Sequence, residues 1–172
     1  MSLSKSFKNM SNVFTISASL TESGPSTFTN SVLEVNTDPL SQEAILILSA
    51  DMDVQGVNLV ATKNTAVNAS ISSVARTSVG GLNNNNVLAA KRVAIRTDAV
   101  SAVSFESQHP DSPTATGLPY IGLVVTDNIH LNIEGSADNT GTGTVQVRLY
   151  CIRAEIKDSG VFAALVQSEL LS

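Results

Sequence analysis

The sequence predicts an all-β protein, an antiparallel two-sheet β-sandwich of jelly-roll type with a short C-terminal helix. Three observations carry this expectation. Short runs with apolar residues at alternate positions recur along the chain, separated by glycine, proline and asparagine turn signals. Ser, Thr and Asn make up about three residues in ten, and valine is the commonest branched aliphatic residue. Branched side chains suit a pleated, half-buried surface, while Ser, Thr and Asn leave helix interiors for turns and caps. Helical spacing, finally, shows only at the very end of the chain.

Taken in order, residues 1–12 read as an N-terminal arm. The run "VFTISASL" (Val13–Leu20) places Phe14, Ile16, Ala18 and Leu20 on one strand face, and "FTNSVLEV" (Phe28–Val35) follows a "SGP" break. "AILILSADM" (Ala44–Met52) is nearly continuous in apolar residues, so it reads as a central strand buried on both faces. "VNLVAT", "VNASISSVA" and "VLAAKRVAIR" come next, with "SVGGLNNNN" as an exposed loop holding Asn83, Asn84, Asn85 and Asn86. After "AVSAVSFE", the segment Ser107–Pro119 carries three prolines, which exclude a central strand.

The short run "YIGLVV" leads into the best-patterned part of the sequence, "NIHLNIEGSADNTGTGTVQVRLYCIRAEI" (Asn128–Ile156). Its first arm turns Ile129, Leu131 and Ile133 inward and His130, Asn132 and Glu134 outward. The second arm puts Val145, Val147, Leu149 and Cys151 on one face, and the connector "DNTGTG" reads as turn chemistry in which Gly and Asn accept positive φ. From Tyr150 onward Ile152, Ala154 and Ile156 make the other face apolar too, so that end needs a cover on both sides. "DSGVFAALVQSELLS" supplies one candidate, an amphipathic helix with Phe162, Val166 and Leu170 four apart behind the caps Asp158 and Ser159. A neighbouring subunit is the other. The domain is therefore expected over 13–157, and the helix or arm over 158–172. Nine or ten strand runs fit a two-sheet antiparallel sandwich, of which the jelly roll is the commonest arrangement for about eight strands, and no Cys…Trp…Cys signature supports an immunoglobulin-like alternative.

Composition narrows the function. A net charge of −5 and a single adjacent basic pair, Lys91-Arg92, oppose strong nucleic-acid binding, which needs clustered cations to release phosphate counterions. No apolar run is long enough to span a bilayer, and "MSLSKSFKNMSN" lacks the apolar middle of a secretory signal. The lone Cys151 cannot close an internal disulfide, which points to an intracellular site of folding. The triplets at Asn9 and Asn68 are of glycosylation type, as chance provides in a chain rich in Asn and Ser.

Chemistry is sparse. No nucleophile elbow, phosphate loop or dinucleotide fingerprint occurs. His109 sits in a proline loop and His130 faces outward on a strand; both read as solvated or interface histidines. Cys151, at an inward strand position, reads as a small core residue. Asp51 and Asp53 lie on one side of a strand end, where oxygen ligands can hold calcium between subunits, although two carboxylates solvated at a sheet rim is the plainer reading. Two tyrosines without tryptophan make a poor sugar platform. The expectation is a non-enzyme without catalytic residues, cofactor or resident metal.

The terminal stretch "GLPYIGLVVTDNIHLNIEGSADNTGTGTVQVRLYCIRAEI" resembles the end of viral single jelly-roll capsid proteins: a short strand, a tight turn, then a broad hairpin carrying the last two sandwich strands. That resemblance implies a structural protein that self-assembles as a homo-oligomer of many copies into a virion shell, in the host cytoplasm, with other capsid proteins as further partners. It implies that loops at the sandwich ends face outward and that terminal segments lie on neighbours. Phe7, Tyr150, Ile152, Ile156, Phe162, Val166 and Leu170 are then the subunit-contact candidates. The missing basic arm departs from the pattern and leaves genome packaging to another component. The competing reading is a non-catalytic binding module, such as a phage decoration, adhesin or carbohydrate-binding domain.

Overall fold

The structure is a computed structural model that describes residues 7–97, 103–108 and 120–170. Among the described residues ten strands form two antiparallel sheets: β1 (Phe7–Asn9), β2 (Phe14–Thr21), β3 (Thr29–Glu34), β4 (Glu43–Gln55), β5 (Thr65–Ser72), β6 (Val87–Thr97), β7 (Val103–Gln108), β8 (Gly122–Val124), β9 (Asn128–Gly135) and β10 (Thr144–Ile156). One helix, α1 (Ser159–Leu170), closes the described chain. The first sheet runs β2-β10-β4-β8, with β1 pairing the tail of β10 on the same side as β2. The second runs β3-β9-β5-β6-β7. The chain changes sheet between β2, β3, β4 and β5, stays in the second sheet through β7, and changes again at each step to β10. That nested order is the jelly roll, with β7 added as a ninth sandwich strand at one edge.

The expected alternation holds where a strand has one buried face. Ile129, Leu131 and Ile133 of β9 are fully enclosed, as are Val145, Leu149 and Cys151 of β10, and Val147 is nearly so. They meet Ile45, Ile47, Val67, Ile71 and Val93 between the sheets, while Phe14, Ile16, Ala18 and Leu20 of β2 close the flank. In β4 the two-sided burial stops halfway. Ala44–Ile47 are enclosed on both faces, but beyond them Asp51 and Asp53 point to solvent and Met52 and Val54 point inward.

The apolar second face of β10 is covered by the chain itself. Ile156 packs with Ala44, Val125 and Phe162 of α1, and Ile152 with Leu46 and Ala154, while Phe7 of β1 and Leu123 contribute to both groups. The helix starts as its sequence suggests: the Asp158 carboxylate accepts the backbone N–H of Gly160 at 2.9 Å and of Val161 at 3.2 Å. Its attachment is narrow, since Phe162 is its one buried side chain.

Three expectations fail for identifiable reasons. "VNLVAT" forms no strand: the backbone N–H of Asn58 goes to the Asn139 side chain and its carbonyl accepts the Thr65 hydroxyl, so side chains supply the partners a neighbouring strand would have offered. Asn132 does not face solvent. The connector between β5 and β6 folds back over the outer face of the second sheet, where the backbone N–H of Gly80 reaches the Ser70 hydroxyl, and Asn132, Ser70 and Ser72 are fully buried beneath it. The "DNTGTG" connector has no positive-φ residue. Its glycines answer to crowding instead: a Cβ on Gly143 would stand 2.6 Å from Val67 Cγ1, and one on Gly141 as close to the Asn58 side chain.

Candidate functional site

At the sandwich end where β2 turns into β3, a buried carboxylate ties two connectors together. Glu22 is 4% exposed. One of its oxygens accepts the Gly135 backbone N–H at 2.6 Å and the other accepts that of Gly143. Beside it Asn139, equally enclosed, donates to the carbonyls of Gly56 and Gly141 and accepts from the Asn58 N–H. Neither residue stands out in the sequence, where Glu22 belongs to a turn and Asn139 to a polar loop. At the opposite end Glu43 and Arg153 form an ion pair at 2.6 Å, and Arg153 also donates to the carbonyls of Val35 and Asn36 and stacks over Phe14. All of these polar groups are committed to the chain's own backbone, so they brace loops.

A hollow lies on the outer face of the second sheet. It measures about 670 Å³, and its floor is Asn68 and Ala90 with Val79–Leu82 of the folded-back connector as one wall. Arg92 and Glu134 flank Asn68 on the neighbouring strands, by register Arg92 on β6 and Glu134 on β9. Among the described residues neither charged side chain has an ion pair or hydrogen bond. The four asparagines sit further along this connector: Asn83 and Asn85 are exposed, Asn84 and Asn86 half-buried, and the Asn86 carbonyl accepts from the Ser73 N–H.

Asp51 and Asp53 face solvent on the outside of the first sheet, opposite Arg148 and Gln146. The Tyr150 hydroxyl donates to Asp51 at 3.2 Å and the Gln55 amide to Asp53 at 2.6 Å. Among the described residues no group of three or more His, Cys, Asp or Glu side chains could hold a metal ion. His130 is half-buried on β9; its Nδ1 has no partner among the described residues, and burial holds its pKa below the usual histidine value. His109 lies outside the described residues. Burial pushes the Cys151 thiol up to about 12, which leaves no thiolate at neutral pH.

Of the contact candidates, Ile152, Ile156 and Phe162 are covered within the chain, while Val166, Tyr150 and Phe7 are partly covered. Leu170 stays 71% exposed. Next to it Glu169 does something the sequence does not announce. Its carboxylate accepts the backbone N–H groups of Val125 and Thr126 and so fastens α1 to the β8–β9 turn. Burial raises its pKa against the opposing pull of those hydrogen bonds.

Comparison with known proteins leaves the chain on its own: no family model, no curated protein and no solved structure matches it. No helix among the described residues is long and apolar enough to cross a membrane.

Proposed function

We propose that this chain is a structural subunit that works by binding copies of itself, and that its form is the shell subunit of a viral single jelly-roll capsid. The nested strand order is the observation that carries the reading. A fold of this kind hosts many functions, so the use made of its polar residues matters as much. Glu22, Asn139, Glu43 and Arg153 all hold connectors in place, and Cys151 is enclosed with its proton. The chain thus spends its buried polar groups on a rigid block with fixed loops, which suits a building unit and assigns it no reaction. Electron microscopy of the purified protein, with light scattering for mass, tests this. Rings or shells of many copies are expected; a stable monomer across salt and pH overturns it.

One observation favours a second reading. The hollow beside Asn68 holds two oppositely charged side chains, Arg92 and Glu134, without partners among the described residues, as a binding module would present. Glycan and small-molecule screening by calorimetry distinguishes the two: a saturable ligand on a monomeric protein, lost in Arg92→Ala, supports the module.

A further inference from the structure

We propose that β7 is the edge on which a second copy of this chain docks, pairing antiparallel with the same strand of its neighbour so that the five-stranded sheet continues across the contact. The inference rests on the self-association reading and names its surface.

The two sheets do not end together. On the far side of β4, β8 pairs only with Ile45–Ile47. Along the rest of β4 no described strand lies there, so the outer part of the second sheet overhangs its partner. Register shows what that overhang presents. Val93 of β6 belongs to the core; two residues on, in the same phase, Ile95 stands opposite Phe105, and Thr97 opposite Val103. Phe105 and Val103 are therefore on the core-facing side of the sheet, yet they are 64% and 59% exposed. Among the described residues, these side chains of core type have no facing strand.

Three other borders are blunted, and β2, the uncharged edge of the first sheet, keeps its apolar side chains Phe14, Ile16, Ala18 and Leu20 packed against the core. The open flank of β4 receives Lys91, whose ammonium donates to the Met52 carbonyl at 2.6 Å. β8 is three residues long, and β3 carries Asn30 and Glu34 on its outward face. β7 lacks two of the usual guards against edge pairing, since it contains no proline and no lysine. Its one charge, Glu106, is already joined to Arg96 of β6 at 3.0 Å. A neighbouring β7 would meet no net like charge.

The occupant follows from self-complementarity. A two-fold antiparallel pair centred on Ser104 or on Phe105 brings Val103 and Phe105 of both copies onto one side of the joined sheet, whereas a one-residue slip of the pairing sends them to opposite sides. Every second residue of β7 directs its N–H and C=O away from β6, and the same row on the partner satisfies them. Aromatic and branched side chains side by side across such a pair add stabilisation. A different protein would have to reproduce both the spacing and the neutrality that a second copy has by identity.

The full chain tests this through engineered thiols, with Cys151 enclosed and out of competition. Under mild oxidation Phe105→Cys should form a covalent dimer if the pair is centred on Phe105, and a mixture of Val103→Cys and Phe105→Cys chains should cross-link if it is centred on Ser104; Ser17→Cys, on the outside of the first sheet, should not. Phe105→Lys should weaken dimerisation at least roughly tenfold by light scattering, with thermal unfolding unchanged at dilutions where wild type is monomeric, because the side chain is mostly exposed. Cross-linking through positions 103 and 105 no greater than at position 17, together with a Phe105→Lys protein that assembles like wild type, overturns the docking edge. If shells still form in that case, the self-association reading survives and only this surface is wrong; a wild-type protein that stays monomeric removes both.

Discussion

Replacing Glu22 by alanine should be the most damaging single change outside the apolar core. The carboxylate is almost fully enclosed and accepts the backbone N–H groups of Gly135 and Gly143, one from each side of the β9–β10 connector. Truncation leaves two buried donors without a partner, at roughly 1–3 kcal/mol each. Taking the middle of that range, the loss is about 4 kcal/mol, a large fraction of the roughly 5–15 kcal/mol that holds a domain together. For a chain of this size about 1 kcal/mol moves the midpoint by roughly 2–4 °C, so the melting temperature should fall by roughly 8–16 °C. Glu22→Gln keeps one acceptor but turns an amide donor toward a backbone donor, and should lose about half as much. Urea unfolding followed by circular dichroism measures both. If Glu22→Ala unfolds within about 0.5 kcal/mol of wild type, the size of an ordinary surface change, the claim that this side chain braces the sandwich end is wrong.

Other expectations separate similar-looking features. Arg153→Met should cost roughly 2–4 kcal/mol by urea unfolding, since it strands the buried Glu43 carboxylate, while Lys8→Ala at the exposed Lys8–Glu155 pair should stay within about 0.5 kcal/mol. Gly143→Ala should destabilise by at least about 2 kcal/mol in the same assay, because its Cβ meets Val67, Ile133 and Glu22 at once, whereas Gly160→Ala in the first turn of α1 should be neutral or slightly stabilising. Burial raises the Glu169 carboxyl above its unfolded value of 4.5, so the folded state holds this proton more tightly. Its contribution is therefore full below that value and lost as pH rises through the raised one. Thermal midpoints recorded across that window should show a fall that Glu169→Gln removes; an identical pH profile in the variant would count against the docked position of the helix end.

Much of the architecture can be read along the chain, because a strand with one wet face writes its orientation into every second residue. The inward sets of β2, β9 and β10 and the Asp158 cap are legible this way, as is the two-sided burial at the end of β10. Asn132 defeats the same logic: alternation gives the side of a sheet, and only the connector folding back over β5 decides that the outside is dry. "VNLVAT" defeats it too, since Asn139 and Thr65, both distant or unremarkable in sequence, take its backbone groups. The hollow beside Asn68 depends on that same connector, so no local pattern marks it.

Residue types by themselves thus settled the β class, the net charge of −5 with its single adjacent basic pair, and which faces of the last two strands seek apolar company. Tertiary structure alone decided what supplies that company: the chain's own Phe162 and Phe7 at the tail of β10, and no described strand over Phe105. The physical reason is that period and propensity are properties of neighbours along the chain. Enclosure of Glu22 or exposure of Phe105 depends on residues far away in sequence, and on how far each sheet happens to extend past the other.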